Sequence, residues 1–275
     1  MTVDCGTMSE DTPPIDGGLP DPAVVQARAV RLSTGVVAPF SATFKSLARG
    51  FGASAGLGLI VGLISREPIV GAGVGLLLSL ASVLVIWRPF TGAPFMRAAE
   101  LYYDHDCHER AEWRAETGTP MPRGLKAFDA WLTANPAAPE RASLLLPLGR
   151  LGEADSAIDA MEPATPGDTF GVEILRKTRM MLAGERPDLK PLHETWPSLP
   201  DPRERRHKRE CLALLDAQLA VDDGRDPIDV LATARGEIDG VHWEMRAPAL
   251  MAKWSVLAVL LVGATTLITA ALVGW

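Results

Sequence analysis

The sequence predicts an all-α chain made of a transmembrane helical hairpin, a helical-hairpin repeat domain and a C-terminal transmembrane helix. Three observations point there. The 275 residues are 47% hydrophobic and 22% charged, yet Gly50 to Ser65, Ile69 to Trp87 and Trp254 to Trp275 carry no Asp, Glu, Lys or Arg. The other 218 residues are about 28% charged, an ordinary value for a water-exposed chain. Outside the charge-free stretches the apolar residues recur at helical period, without the alternation of strands.

Residues 1–22 are acidic and rich in Pro and Gly, and they read as a disordered tail. They lack the basic-then-apolar order of a secretory signal. In residues 23–49, Phe40, Phe44 and Leu47 stand at i, i+4, i+7 above Lys45 and Arg49, which predicts an amphipathic juxtamembrane helix on the inner leaflet. Residues 50–87 form the hairpin. Its arms would be about 24 and 28 Å long as helices, against a hydrocarbon core of roughly 30 Å. Arg49 and Arg66 can snorkel from the ends of the shorter arm.

The pairs Gly52/Gly56, Gly58/Gly62 and Gly71/Gly75 are each four apart, so each pair shares a helix face where backbones can approach closely. The helix they face is the sister arm, the last span or another copy of the chain. The last reading gives a homo-oligomer. Residues 254–275 would span about 33 Å, with a Trp at each end at the interface.

Arg28, Arg31, Lys45, Arg49, Arg88, Arg97, Arg246 and Lys253 flank one side of the three spans and only Arg66 the other. The positive-inside rule then sets a multi-pass inner-membrane topology. The N-terminus and residues 88–253 are cytoplasmic and the C-terminus is outside.

Residues 88–253 have a net charge of −6 and four apolar stripes. These are Phe128, Trp131 and Leu132; Ala154, Ala157, Ile158 and Met161; Ile174, Leu175, Thr178, Met181 and Leu182; and Cys211, Leu212, Leu215 and Leu219. Prolines cut them into helices of roughly 10 to 20 residues. RASLLLPLGRLGEADSAIDAM, LRKTRMMLAGERPDLKPL and LLDAQLAVDDGRDPIDVLATA share an order of apolar helix, Gly, charged residue and second helix. Their turns are Gly152-Glu153, Gly184-Glu185 and Gly224-Arg225. On LLPLGRLGEADSAI, residues 139 to 240 resemble degenerate tetratricopeptide repeats. The resemblance implies a concave protein-binding face and no chemistry.

A net charge of −7 excludes nucleic acid as a partner, because phosphate contacts need a positive surface. Cys5, Cys107 and Cys211 are an odd set at wide spacing, which gives no disulfide framework and suits a reducing compartment. Gly52-Ala53-Ser54-Ala55-Gly56 matches the nucleophile-elbow pattern but has no preceding strand and no nearby histidine. No phosphate-cradling or dinucleotide motif occurs, and no catalytic residue or cofactor is expected.

The most suggestive cluster is Asp104-His105-Asp106-Cys107-His108. His105 and His108 are i, i+3, and Asp104 joins His108 at i, i+4, so Asp104, His105, Cys107 and His108 are candidate ligands for zinc or another transition metal. A fourth ligand could come from Glu112, His193, His207 or His242. The alternative is a solvated polar face, and the spacing matches no established zinc pattern, so no metal is assigned. Arg203, Arg205, Arg206 and Arg209 form either a basic patch for anionic headgroups or an acidic partner, or a solvated face with internal ion pairs.

The expected function is a membrane-anchored, non-enzymatic scaffold that binds a protein partner. One alternative is a subunit of a transport or secretion complex assembled through the glycine faces. A second is a metal or redox responder acting through residues 104–108.

Overall fold

The computed structural model describes residues 19–87, 93–239, 267, 268 and 270–272, and every regular element among them is helical. The side chain of Asp21 accepts a hydrogen bond from the Ala23 amide at 2.8 Å, and Pro22 occupies the first turn. Helix α1 therefore starts here and runs Pro22–Ser65. It ends at Arg66, whose φ of 56° reverses the chain into α2, Pro68–Trp87. Then come α3 (Ala93–Thr117), α4 (Leu125–Ala134), α5 (Arg141–Leu145), α6 (Leu151–Asp159) and α7 (Pro166–Leu182). The chain continues through α8 (Lys190–Thr195), a single 3-10 turn, α9 (Pro202–Asp222) and α10 (Pro227–Asp239).

Helix α1 contains the expected amphipathic lead-in, of whose marker side chains Phe44 and Leu47 lie outside the described ones. Residues 23–49 and the first charge-free stretch are one continuous helix of 44 residues. Val25, Leu32, Val36 and Phe40 recur along one side of it and are all buried. The Phe40 ring lies 5.5 Å from Phe95 and 5.6 Å from Tyr102. Phe40 thus belongs to a stripe that begins at Val25, and at these four positions protein covers it. Pro39 withdraws an amide donor from the helix interior. The buried neighbours Val36 and Phe40 hold the helix together across it.

The three-span topology is also corrected. Among the described residues a single stretch, Ala48–Ser65, is long and apolar enough to cross a membrane, about 27 Å as a helix. The described apolar run of α2, Pro68–Ser79, is too short. Of the C-terminal stretch 254–275, only 267, 268 and 270–272 are described. One candidate span does not support a multi-pass arrangement with alternating sides.

The glycines of the hairpin face each other. A Cβ on Gly58 would stand 2.7 Å from the Gly71 carbonyl oxygen, and one on Gly71 would stand 2.5 Å from that of Gly58, with Gly62 and Gly75 next to them. These faces are taken up within the chain, so they support no homo-oligomer. At Gly52 and Gly56 an added Cβ would meet nothing within 4 Å.

Helix α9 is the centre of the remaining helices. Leu212 and Leu215 belong to a core with Val25, Leu32, Trp113, Leu144, Leu145, Phe170 and Met181, while Ala213 and Ala217 belong to another with Val36, Phe40, Leu101 and Leu231. Helix α1 contributes to both cores, and α10 packs back on α3. In a solenoid each hairpin touches only its neighbours in sequence. Here α1, from outside the expected repeats, lies against α7, α9 and α10, so the hairpins are packed into a larger helical core. The repeat reading fails on one of its turns: Gly152 lies inside α6, and the left-handed turn before it is at Gly149. Gly184 and Gly224 do sit in left-handed turns, with φ of 92° and 69°.

Candidate metal centre

The seam between α3 and α9 is polar although both helices are partly in the core. On α3, His105, Glu109 and Glu112 stand at i, i+4, i+7 and share one face. On α9, His207 and Cys211 are i, i+4, and Glu210 is one position away. Packing of these helices joins residues about a hundred positions apart. The Cys211 sulfur lies 4.0 Å from His105 Nδ1 and 3.7 Å from His207 Nε2. These three ligand atoms are all within 4.8 Å of one another. A thiolate and an imidazole bound to one tetrahedral zinc, at roughly 2.3 and 2.0 Å, stand about 3.6 Å apart. The two sulfur–nitrogen separations are therefore within a few tenths of an ångström of that spacing.

Carboxylates support the ring nitrogens. Glu109 Oε2 is 3.5 Å from His105 Nε2, on the far side of that ring from the sulfur. Such a carboxylate fixes the tautomer of a metal-ligating histidine. Glu112 Oε2 is 2.8 Å from His207 Nε2 and is the nearest further ligand. The His105 and His207 rings are stacked at 5.9 Å.

The electrostatics follow from these neighbours. Burial by itself would lower His105, but Cys211 and Glu109 outweigh it and push the ring up to about 10. Burial likewise opposes the charged form of His207, and Cys211, Glu112 and Glu210 carry it up to about 12. Burial would raise the Cys211 thiol, yet the two histidines bring it down to about 6. Without an ion, these mutual effects favour a thiolate held between imidazolium rings. A metal ion would replace those ring protons with its own charge.

The three ligand side chains face a cavity of about 370 Å³. Glu109 and Glu112 line its polar side, and Ile174, Leu175 and Leu215 its apolar side. Helix α7 supplies much of that wall. Its start is fixed by a reciprocal cap in which the Thr165 hydroxyl accepts from the Asp168 amide at 3.0 Å and Asp168 accepts from the Thr165 amide at 2.9 Å.

The sequence candidates are divided by this arrangement. His105 lies in the cluster, and His108 lies beside it, with Nδ1 donating to Glu210 at 2.7 Å. Cys107 is exposed and apart from it. Asp104 is buried on another side of α3, where its Oδ2 accepts from Arg206 at 2.8 Å and from Arg235 at 3.1 Å. Of the proposed fourth ligands, His207 and Glu112 are present, His193 pairs with Asp216 at 3.0 Å instead, and His242 lies outside the described residues.

Of the candidate basic-patch arginines, Arg206 and Arg209 are engaged in ion pairs within the fold, while Arg203 is exposed. Arg209 is buried and pairs with Glu237 at 2.7 Å, and Arg206 bridges Asp104 and Glu210. Arg205 donates to the Pro197 carbonyl at 3.1 Å, while the Arg203 amide donates to the helix cap Asp201.

Cys211 and Glu210 escaped the sequence reading because they sit within an apolar stripe and a basic run. The spacing of His207 and Cys211, one turn apart on a helix, is the signal that could have found them. No known family model, no curated protein and no solved structure matches the chain. The tetratricopeptide resemblance therefore has no support from relatives and misplaces one of its three turns, and the scaffold function inferred from it goes with it.

Proposed function

We propose that this chain is a transition-metal-responsive helical module whose primary site is His105, His207 and Cys211. The observation that carries the reading is the convergence of one sulfur and two imidazole nitrogens, from two helices, within 4.8 Å. A thiolate with two imidazoles selects zinc or copper over the hard cations magnesium and calcium. Glu112 is placed to complete the coordination and Glu109 to orient His105.

The response is mechanical. His105 is on α3, while His207 and Cys211 are on α9, so a bound ion ties together helices otherwise joined by side-chain packing and ion pairs. An ion that binds the folded chain and not the unfolded one stabilises it by mass action. The reading is of a binding and responding site, and catalytic turnover is not part of it.

Elemental analysis of the full chain, purified without an affinity tag and dialysed against trace zinc, tests this. We expect one tightly held zinc at this site. His105→Ala, His207→Ala and Cys211→Ser should each weaken it at least about 10-fold, the lower end of what even outer-shell partners are worth. A chain that retains no zinc, or whose Cys211→Ser variant retains it unchanged, would remove the proposal.

A further inference from the structure

Resting on the reading of the Cys211 site, we infer that the seam holds a second transition-metal ion between His108, His207 and Glu210, with the His207 ring shared by both ions. The ligand atoms of these three residues also lie within 4.8 Å of one another. Glu210 Oε2 is 2.7 Å from His108 Nδ1 and 3.8 Å from His207 Nδ1. The two sites use opposite edges of His207: Nε2 looks towards Cys211 and Glu112, and Nδ1 towards Glu210.

Three features mark this as more than a group of polar residues. His207 Nδ1 is inaccessible to solvent and has no hydrogen-bond partner, a costly state for a buried ring nitrogen that an ion at this position would relieve. Glu210 is fully buried, and Arg206 Nε donates to its other oxygen, Oε1, at 3.2 Å. Arg206 thereby fixes the carboxylate with Oε2 towards the histidines, as an outer-shell partner does. The His108 side chain is 45% exposed, which gives an ion a way in from solvent.

The second site has two nitrogens and one oxygen but no thiolate, and it adds a positive charge beside the first ion. It therefore fills after the first and binds more weakly. No electron changes hands. The first ion takes the place of the proton on Nε2 and the second that of the proton on Nδ1. These two protons go to solvent, together with the one the first ion displaces from His105 Nδ1 and the one the second displaces from His108 Nδ1, leaving His207 as a bridging imidazolate.

Cobalt(II) chloride titrated into the full chain, with bound metal counted after equilibrium dialysis, separates the two sites. We expect two equivalents for the native chain, the first accompanied by a thiolate-to-cobalt charge-transfer band. His108→Ala alters an exposed side chain, and its fold can be checked by circular dichroism. It should keep the first equivalent and its band and lose the second. One equivalent in both proteins, with the band present, would overturn the second site and leave the first standing. A second equivalent that persists in His108→Ala would also overturn it, since that ion would be bound elsewhere. Absence of both the band and bound cobalt would overturn both readings.

Discussion

Where Gly58 meets Gly71, two helices touch through bare backbone. Where His105 meets Cys211, two helices meet through ionisable side chains. In the α1–α2 hairpin the close approach exists because nothing projects from the glycines, and dispersion between main chains rewards it. In the α3–α9 seam the same closeness would be unfavourable unless each buried charge found a partner. Asp104 with Arg206 and Arg235, and Glu210 with His108 and Arg206, supply those partners. The hairpin is built to exclude everything else. The seam brings together atoms that can take up an ion. Chemistry should therefore concentrate in the seam, and size should be what the hairpin resists.

Breaking the seam should have the largest effect. Glu210→Ala leaves His108 without its carboxylate and takes one of two from Arg206 and from His207, and we expect a loss of about 3–5 kcal/mol in denaturant unfolding of chelator-treated protein. A loss below that of a glycine substitution in the hairpin would reverse the comparison. The same carboxylate predicts acid sensitivity. Burial would raise it, but the neighbouring His207 and His108 rings hold it down at about 2, below its ordinary 4.5. Its contribution is complete above about pH 4.5 and disappears as the pH falls towards 2. A chelator-treated chain whose stability stays flat across that window would show that Glu210 is not held by charge.

The hairpin comes next. Gly71→Leu puts a side chain against the Gly58 carbonyl, and we expect about 1–3 kcal/mol of destabilisation from overpacking, with cobalt binding intact. Gly52→Ala, where an added Cβ meets nothing within 4 Å, provides the matched control. If Gly71→Leu abolished cobalt binding, the two regions would not be independent. The smallest effect belongs to Cys107→Ser. Cys107 is exposed and outside the cluster, so stability should change by no more than about 0.5 kcal/mol and metal content should not change.

The same contrast explains what the sequence could reveal. The all-α class was legible because helical period is a local signal, but four-residue glycine spacing alone did not separate Gly58 and Gly71, which meet, from Gly52 and Gly56, which have nothing against them. The course of α1 was legible only in part. Phe40 announced an apolar stripe, but the stripe alone does not say whether lipid or protein covers it. Val25, Leu32 and Val36 turn out to face the same cores as α9. At the metal centre, the i, i+3 pair of histidines on α3 was visible, and the sulfur that completes the set was not. Cys211 is 106 residues from His105, and only the packing of α9 between two cores brings them together. Asp104 and Cys107 show the converse: neighbours in sequence to His105 that the helix turns away from it.

The absorption spectrum of the cobalt-loaded full chain tests the central claim most directly. A sulfur-to-cobalt charge-transfer band in the near ultraviolet requires a cysteine in the first coordination shell, and only Cys211 is placed to provide it among the described cysteines. The account predicts that this band appears with the first equivalent of cobalt, survives Cys107→Ser and vanishes in Cys211→Ser. A chain that binds cobalt without the band, or that keeps the band in Cys211→Ser, would contradict it.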